Sequence, residues 1–131
     1  MVLQIVTGNN TRLLLTSILV QMSNTAAGRS VYVETKDSSD NTTLAFAIGL
    51  SMDNQKFSVP HEGNYTINNE SNQQLIPLIN GDKLVITAYS LADTENFRVT
   101  VRGYIRGRVP STNTAGSSNT PSLTTSYARI Q

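Results

Sequence analysis

The chain has 131 residues and a formal net charge of +1, with no Cys, no Trp and a single His. This length is typical of one domain that can bury a substantial core. The absence of Cys excludes disulfides and thiolate metal ligands, so stability has to come from packing or from assembly with other chains.

The first residues predict neither a signal peptide nor a membrane span. Residues 1–5 have no basic segment and no long apolar stretch before a small-residue cleavage site. The longest mostly apolar run, residues 13–20, is far shorter than the roughly 20 residues of a helix that crosses a bilayer. We therefore expect a protein that stays in the cell that makes it or leaves by lysis, with no membrane partner.

Turn-forming residues divide the chain at short intervals into runs that are rich in β-branched and aromatic residues. Such runs predict β-strands, here near residues 2–7, 12–23, 30–36, 43–51, 64–67, 74–79, 83–90 and 97–108. Strands joined by tight turns predict an all-β protein. We expect residues 1–108 to form a single antiparallel β-sandwich of jelly-roll type.

The run at 12–23 also fits an amphipathic helix with Asn10 or Thr11 as its N-cap. The side chains that match one helical face are Leu14, Leu15, Ile18 and Met22. A strand is favoured because the β-branched and hydroxyl residues in this run are middling helix formers and the flanking segments are all β.

Asn80 and Gly81 predict a tight hairpin turn, because both residue types tolerate the positive φ that such a turn requires. The hairpin would pair residues 75–79 with residues 82–86. Pro77 has no backbone N–H to donate, which places the first of these strands at a sheet edge.

The segment 97–109 reads F-R-V-T-V-R-G-Y-I-R-G-R-V and holds four of the ten basic residues of the chain. Because side chains alternate across a strand, its odd positions predict an apolar row and its even positions a row of guanidinium groups. The arginines of this row are Arg98, Arg102, Arg106 and Arg108. Residues 1–96 hold all nine acids and five basic residues, whereas residues 97–131 hold five Arg and no acid.

Three interpretations of the arginine row stay open. It could be the solvated outer face of an edge strand, whose charges discourage aggregation. It could be an interface in which arginines pair with carboxylates of a neighbouring subunit or partner. It could contact nucleic acid, but the near-neutral net charge and the lack of aromatic residues among the arginines, except Tyr104, argue against that partner.

Residues 109–131 are rich in Ser, Thr and Asn, with too little apolar surface to offset the entropy of ordering them alone. We expect a C-terminal arm that is either flexible or docked on a neighbouring copy. Leu123, Tyr127 and Ile130 would anchor a docked arm.

No catalytic or metal-binding motif is evident. The single histidine, His61, lies between Pro60 and Glu62 in a predicted turn, and most of the acids also fall in turns. The run at 37–41 offers oxygen ligands but lacks the central Gly and distal Glu of a calcium loop. Carbohydrate sites usually have aromatic platforms, and the chain has no Trp. We expect no catalytic residue, no cofactor and no metal, and hence a protein that is not an enzyme.

Three segments carry a family resemblance: T-S-I-L-V-Q-M-S-N-T-A-A-G-R-S-V-Y-V-E at 16–34, P-L-I-N-G-D-K-L-V-I-T-A at 77–88 and F-R-V-T-V-R-G-Y-I at 97–105. This layout resembles the small β-sandwich virion proteins of tailed bacteriophages. In these an I-x-V-x-N-type strand, a G-D-x-L hairpin and a closing V-x-V-x-G-Y strand recur in that order. The resemblance covers most of residues 12–106, and residues 42–73 have no counterpart in it.

The resemblance implies a structural role in a virion, most simply as a capsid decoration (cement) protein that binds the outer capsid surface as a homo-oligomer. Proteins of this kind often form trimers and use terminal arms to reach their neighbours. The implied partners are the major capsid protein or other virion proteins, with no nucleic acid. Alternatives are a neck, tail or baseplate component, or a receptor- or carbohydrate-binding module of a tail fibre.

Overall fold

The structure is a computed structural model that describes residues 2–23, 29–50, 56–59, 65–67, 70–72, 76–89, 96–115 and 122–129. These residues form twelve strands and no helix, so the predicted all-β class is confirmed. The strands are β1 (Val2–Val6), β2 (Arg12–Ser23), β3 (Arg29–Lys36), β4 (Thr42–Leu50), β5 (Lys56–Val59), β6 (Tyr65–Ile67), β7 (Glu70–Asn72), β8 (Ile76–Ile79), β9 (Lys83–Tyr89), β10 (Asn96–Arg106), β11 (Ser111–Ala115) and β12 (Ser122–Arg129). Within the described ranges, no helix is long and apolar enough to span a membrane.

Two sheets form the sandwich. The first has the strand order β11-β1-β9-β3-β4, and the second has the order β12-β10-β2-β5, with β8 also paired to β2. The pairs β1–β11, β2–β10 and β3–β9 are antiparallel, nest within one another along the chain and alternate between the sheets. This nesting is the wrapping expected of a jelly-roll-like sandwich. Strands β6 and β7 pair with each other as a separate hairpin.

The core lies between the inner faces of the two sheets. Alternate residues of β1, β3 and β9 meet alternate residues of β2, β8 and β10, as the period of two in each strand predicts. The largest fully buried side chains are Leu3, Ile5, Leu13, Leu15, Ile18, Ile76, Leu78, Leu84, Ile86 and Ile105. Among the residues that the structure describes, the fully buried side chains that hold the two sheets together are aliphatic.

Strand β2 contains a bulge, which explains why its sequence also matched a helix. Leu13 and Leu15 are buried, and then Ile18 and Val20 are buried, so the alternation slips by one residue between the two pairs. The pairing of β2 with β10 shifts register at this point, and the hydroxyl of Thr16 donates a hydrogen bond to the Arg102 carbonyl at 3.1 Å. The extra residue interrupts the alternation of buried and exposed side chains. The resulting spacing of apolar residues also fits one face of a helix.

The Asn80–Gly81 turn forms, but the predicted hairpin does not. Asn80 and Gly81 have φ values of 46° and 98°, and the Asp82 amide donates to the Ile79 carbonyl at 3.0 Å. However, β8 pairs with β2 in the second sheet, whereas β9 pairs with β1 and β3 in the first. The predicted pairing of 75–79 with 82–86 is therefore wrong. The tight turn reverses the chain direction, but the two strands that flank it pack in different sheets.

Thr7 holds this inter-sheet turn in place. Its buried hydroxyl donates to the Asp82 carbonyl at 2.7 Å and accepts a hydrogen bond from the Gly81 amide at 3.1 Å. Buried polar groups in a stable fold are expected to be satisfied in this way.

The described part of the C-terminal segment adds one strand to an edge of each sheet. Strand β11 pairs antiparallel with β1, and β12 pairs parallel with β10. Ladder hydrogen bonds need no apolar side chains, so a Ser/Thr-rich segment can add to an open sheet edge. The fold thus uses these residues within the chain, and a contact between this segment and a neighbouring copy stays a prediction.

Candidate interaction surface

Strand β10 places three of the four predicted arginines on one face. Arg98, Arg102 and Arg106 are exposed, and the residues between them on the inner face are buried: Val99, Val101, Gly103 and Ile105. From Arg98 to Arg106 the row spans about 26 Å at roughly 3.3 Å per residue. Since β10 lies between β2 and β12, the row is on the outer face of the second sheet and not on an edge strand.

Arg108 does not belong to this row. Strand β10 ends at Arg106, and Gly107 has a φ of 94°, which only glycine adopts readily. A Cβ at Gly107 would lie 2.4 Å from the Asn10 carbonyl oxygen, so the chain turns tightly against the β1–β2 loop. Arg108 instead borders an open groove of about 480 Å³ beside Gly8, Asn9 and Asn10, at one end of the sandwich.

Arg12 of β2 lies beside this row, at its Arg106 end. It lies directly opposite Arg106 in the antiparallel ladder, and Ile79 of β8 lies opposite it on its other side. Sequence analysis missed Arg12 because it is 94 positions from Arg106 in a chain of 131 residues, and only strand pairing brings them together. We call Arg12, Arg98, Arg102 and Arg106 the arginine face.

Exposed apolar side chains accompany the arginines. Exposed Tyr104, half-buried Leu14 and exposed Pro77 occupy successive positions across β10, β2 and β8. Tyr104 is 45% exposed, and Ile79, also on β8, is 47% exposed. Tyr and Arg are both enriched at protein–protein interfaces relative to the rest of the protein surface.

Arg12 and Arg106 line an open groove at one end of the arginine face. We call it the arginine groove; its volume is about 430 Å³, and its other lining residues include Pro77, Ile79, Asn80 and Asn10. The Asn80 side-chain oxygen accepts a hydrogen bond from the Asn10 amide at 3.0 Å, which fixes the polar wall of the groove. Two guanidinium groups beside apolar and amide side chains suit an acidic group carried on a protein.

Four carboxylates whose side chains the structure describes lie on the first sheet or in turns that adjoin it. Glu34 lies on β3, and Asp37, Asp40 and Asp82 lie in the β3–β4 and β8–β9 turns. Lys36 and the Thr42 hydroxyl contact Glu34 at 3.5 Å and 3.0 Å, and Lys83 pairs with Asp40. No described carboxylate belongs to β2, β8, β10 or β12. The arginine face therefore carries positive charge without an acid from its own strands.

The β3–β4 turn, residues 37–41, organises its own acids. The Asp37 carboxylate accepts hydrogen bonds from the Asn41 amide at 3.0 Å and from the Ser39 amide at 2.9 Å. The Asn41 amide is the main cause that lowers the pKa of Asp37 below its usual value, and the Lys83 ammonium lowers the pKa of Asp40. The Asp37 carboxylate stabilises the turn, and the Asp40 carboxylate forms an ion pair with Lys83. The carboxylates of the run that was compared with a calcium loop therefore bind groups of their own chain.

Leu123 and Tyr127 of β12 contact the core of their own chain. They lie opposite Val99 and Gly103 of β10, and the Tyr127 hydroxyl is buried without a hydrogen-bond partner. Desolvation raises the pKa of Tyr127 to about 12. The third predicted anchor, Ile130, lies outside the described residues, as does His61.

Among the described residues, no group of three or more His, Cys, Asp or Glu side chains could hold a metal ion. Comparison with known proteins gives no further guide, because no family model, curated protein or solved structure matches the chain. The described residues show a row of exposed arginines with apolar side chains beside it and an open groove lined by Arg12 and Arg106.

Proposed function

We propose that the protein is a non-enzymatic virion structural protein of a tailed bacteriophage. In this proposal it is a capsid decoration protein that binds the outer capsid surface as a homo-oligomer and stabilises the particle. Its partners are the major capsid protein or other virion proteins, and a trimer is the favoured oligomer. The observation that carries the proposal is the arginine face, which places guanidinium groups beside exposed apolar side chains on the outer surface of one sheet.

An extended surface of this composition suits another protein better than a small molecule. Guanidinium groups form paired hydrogen bonds with carboxylates, which gives orientation and partner choice. Exposed Tyr104 and Pro77, with half-buried Leu14 between them, provide apolar area that a partner can cover. Each copy would bind mainly through such apolar contacts, and the arginines would determine where and in which orientation it docks.

Nucleic acid fits this surface less well. Successive arginines of the row are four residues apart, about 13 Å at roughly 3.3 Å per residue. Duplex DNA carries one charge per about 1.7 Å, so the row would neutralise few phosphates. The net charge of +1 adds no long-range attraction for a polyanion.

The test uses particles of the phage that encodes the chain. A decoration protein is expected at many copies per purified particle, and particles without it should release their genome at a lower temperature. A receptor- or carbohydrate-binding module would be present at few copies and would bind cells or glycans when purified. Absence of the chain from the particle would contradict both.

Variants then test the surface. Arg98→Gln with Arg102→Gln lowers the net charge by two and should weaken rebinding to stripped particles at least tenfold. The control, Asn9→Asp with Asn113→Asp, gives the same net charge through exposed side chains elsewhere, one of them on β11 of the first sheet. Equal rebinding of both variants would contradict a role for the arginine face.

A further inference from the structure

The Asn80–Gly81 dipeptide of the β8–β9 turn carries a pair of groups that can react with each other. It is the single Asn-Gly dipeptide of the sequence. In such a dipeptide the Gly nitrogen can attack the side-chain carbonyl of Asn, because Gly has no Cβ to hinder the approach and leaves the backbone free to rotate. An Asn that precedes Gly is therefore more prone to spontaneous deamidation than an Asn that precedes a larger residue.

The reaction needs only water as a second reactant. The Gly81 nitrogen loses its proton to solvent and bonds to Cγ of Asn80, and the bond between Cγ and Nδ2 breaks with release of ammonia. Water then hydrolyses the cyclic imide at either of its two carbonyl carbons. The product at position 80 is aspartate or isoaspartate, and in isoaspartate the main chain runs through the former side chain.

The fold holds both reacting groups on other partners. The Gly81 amide donates a hydrogen bond to the buried Thr7 hydroxyl at 3.1 Å, and this hydroxyl donates to the Asp82 carbonyl at 2.7 Å. The side-chain oxygen of Asn80 accepts a hydrogen bond from the Asn10 amide at 3.0 Å. Thr7 and Asn10 both lie between β1 and β2. The β1–β2 loop therefore holds the attacking nitrogen and also the carbonyl that it would attack.

The conformation of the turn also separates the two groups. Asn80 and Gly81 both have positive φ, 46° and 98°, which is typical of a type I′ turn. In that turn ψ of the first central residue is about 30°. Ring closure instead requires the Gly81 nitrogen to eclipse Cβ of Asn80, which needs a large rotation about ψ. This rotation turns the Gly81 amide away from Thr7, so the reaction requires the turn to open.

We infer that Asn80 is a deamidation site that the Thr7 contact keeps unreacted in the folded protein. Opening of the turn allows the reaction, and loss of ammonia makes it irreversible. The product adds a carboxylate to the arginine groove, which Asn80 lines together with Arg12 and Arg106. Isoaspartate also lengthens the main chain within the turn, which changes the spacing on which its hydrogen bonds depend. The inference concerns the chemical lifetime of the fold and does not depend on the proposed function.

Incubation of the purified chain at pH 8, followed by peptide mass spectrometry at Asn80, tests the site. Deamidation should be at least about tenfold slower in the folded chain than in urea, because it occurs from the open turn. Thr7→Val removes the hydroxyl that holds the Gly81 amide. It should speed deamidation of the folded protein about tenfold, the factor expected for one lost buried hydrogen bond. Thr7→Ser keeps a hydroxyl and should react at nearly the rate of the parent chain.

Val31→Ala is the control that separates opening of the turn from unfolding of the whole chain. Val31 is buried in β3 opposite Ala88, toward the end of β9 that is farther from the turn. Its loss lowers the free energy of unfolding, as Thr7→Val does, but should speed deamidation less. Equal acceleration in both variants would mean that the chain reacts from its unfolded state, and it would contradict a local role for Thr7.

Three further outcomes would overturn the inference: equal rates for the parent chain in buffer and in urea, a parent-like rate for Thr7→Val, or a rate for Thr7→Ser as high as that for Thr7→Val. If Thr7→Val does not fold, hydrogen exchange of the Gly81 amide in the parent chain replaces it. Exchange and deamidation both require the hydrogen bond to Thr7 to open, so folding should slow them by a similar factor. A Gly81 amide that exchanges as fast as in the unfolded chain would contradict the inference.

Discussion

The outer faces of the two sheets use their charges differently. On the side of the first sheet, Lys36 contacts Glu34 and Lys83 contacts Asp40, so charges are paired within the chain. On the second sheet, Arg98 lies opposite Gln21 and Ser122, and Arg102 lies opposite Ser17 and Ser126. Charges on the first side are therefore paired within the chain at local turns, whereas Arg98 and Arg102 lie opposite uncharged residues of the neighbouring strands.

The largest loss of stability is expected when a buried side chain of β10 is truncated. Truncation of an exposed side chain of the same strand should cost much less. Ile105→Ala removes a side chain that is 1% exposed and leaves a cavity in the core, which should cost about 3 kcal/mol of unfolding free energy. Arg102→Ala, on the exposed face of the same strand, should change it by less than about 0.5 kcal/mol. Urea unfolding of both variants measures the difference. A similar loss in both would mean that the arginine face contributes to folding.

A smaller effect is expected where β10 approaches β2. A Cβ at Gly103 would lie 2.3 Å from the Leu14 carbonyl oxygen, beside the bulge in β2. Gly103→Ala should therefore destabilise the fold by about 2 kcal/mol, because the backbone has to move apart. Gly8→Ala is the control, since no atom lies within 4 Å of its added Cβ and its φ is not in the positive range. An unchanged midpoint for Gly103→Ala would show that the strands separate at little cost.

The strand pattern of this fold was largely predictable from the sequence, because alternation between buried and exposed residues is a local signal. All eight predicted strands occur, and the arginine row on β10 follows directly from parity at Arg98, Arg102 and Arg106. Strands β5, β7, β11 and β12 were not predicted, and β11 shows why: its five residues are all exposed, so no apolar period marks it.

Pairing and position were harder to predict, because they depend on contacts between distant parts of the chain. The Asn80–Gly81 turn was predicted and its strand pairing was not, since the choice between sheets depends on which strand covers which part of the core. Arg12 was missed for the same reason, and Arg108 was wrongly placed in the row because Gly107 ends the strand pattern. Local residue chemistry predicts the turns and the buried face of each strand. Which strands lie beside each other is determined by pairing between distant parts of the chain.

A further effect, of opposite sign, is expected at the edge that β12 forms on the second sheet. Tyr127→Phe removes a buried hydroxyl that has no partner, so it should leave stability unchanged or raise it by up to about 1 kcal/mol. Because folding raises the pKa of Tyr127 to about 12, from 10.0, its protonated form stabilises the fold below about pH 10 and this contribution is lost as pH rises toward 12. Thermal unfolding between pH 8 and 12 should show a steeper decline for the parent chain than for the variant. A destabilised Phe variant would mean that the hydroxyl has a hydrogen-bond partner.

The smallest effect is expected at the Asp40–Lys83 pair on the opposite side. Asp40 is ionised in the fold at a lower pH than in the unfolded chain, because Lys83 lowers its pKa from 3.8. The pair therefore stabilises the fold above about pH 4, and this contribution is lost as pH falls through the lowered pKa. Asp40→Asn keeps the positive φ that Asn tolerates and removes the charge, so the variant should unfold slightly earlier than the parent at pH 7 and together with it at pH 2. Arg102→Gln should follow the parent at both pH values, since no described carboxylate lies on its strand or the strands beside it. A pH-dependent loss in Arg102→Gln but not in Asp40→Asn would contradict the assignment of this ion pair to Asp40.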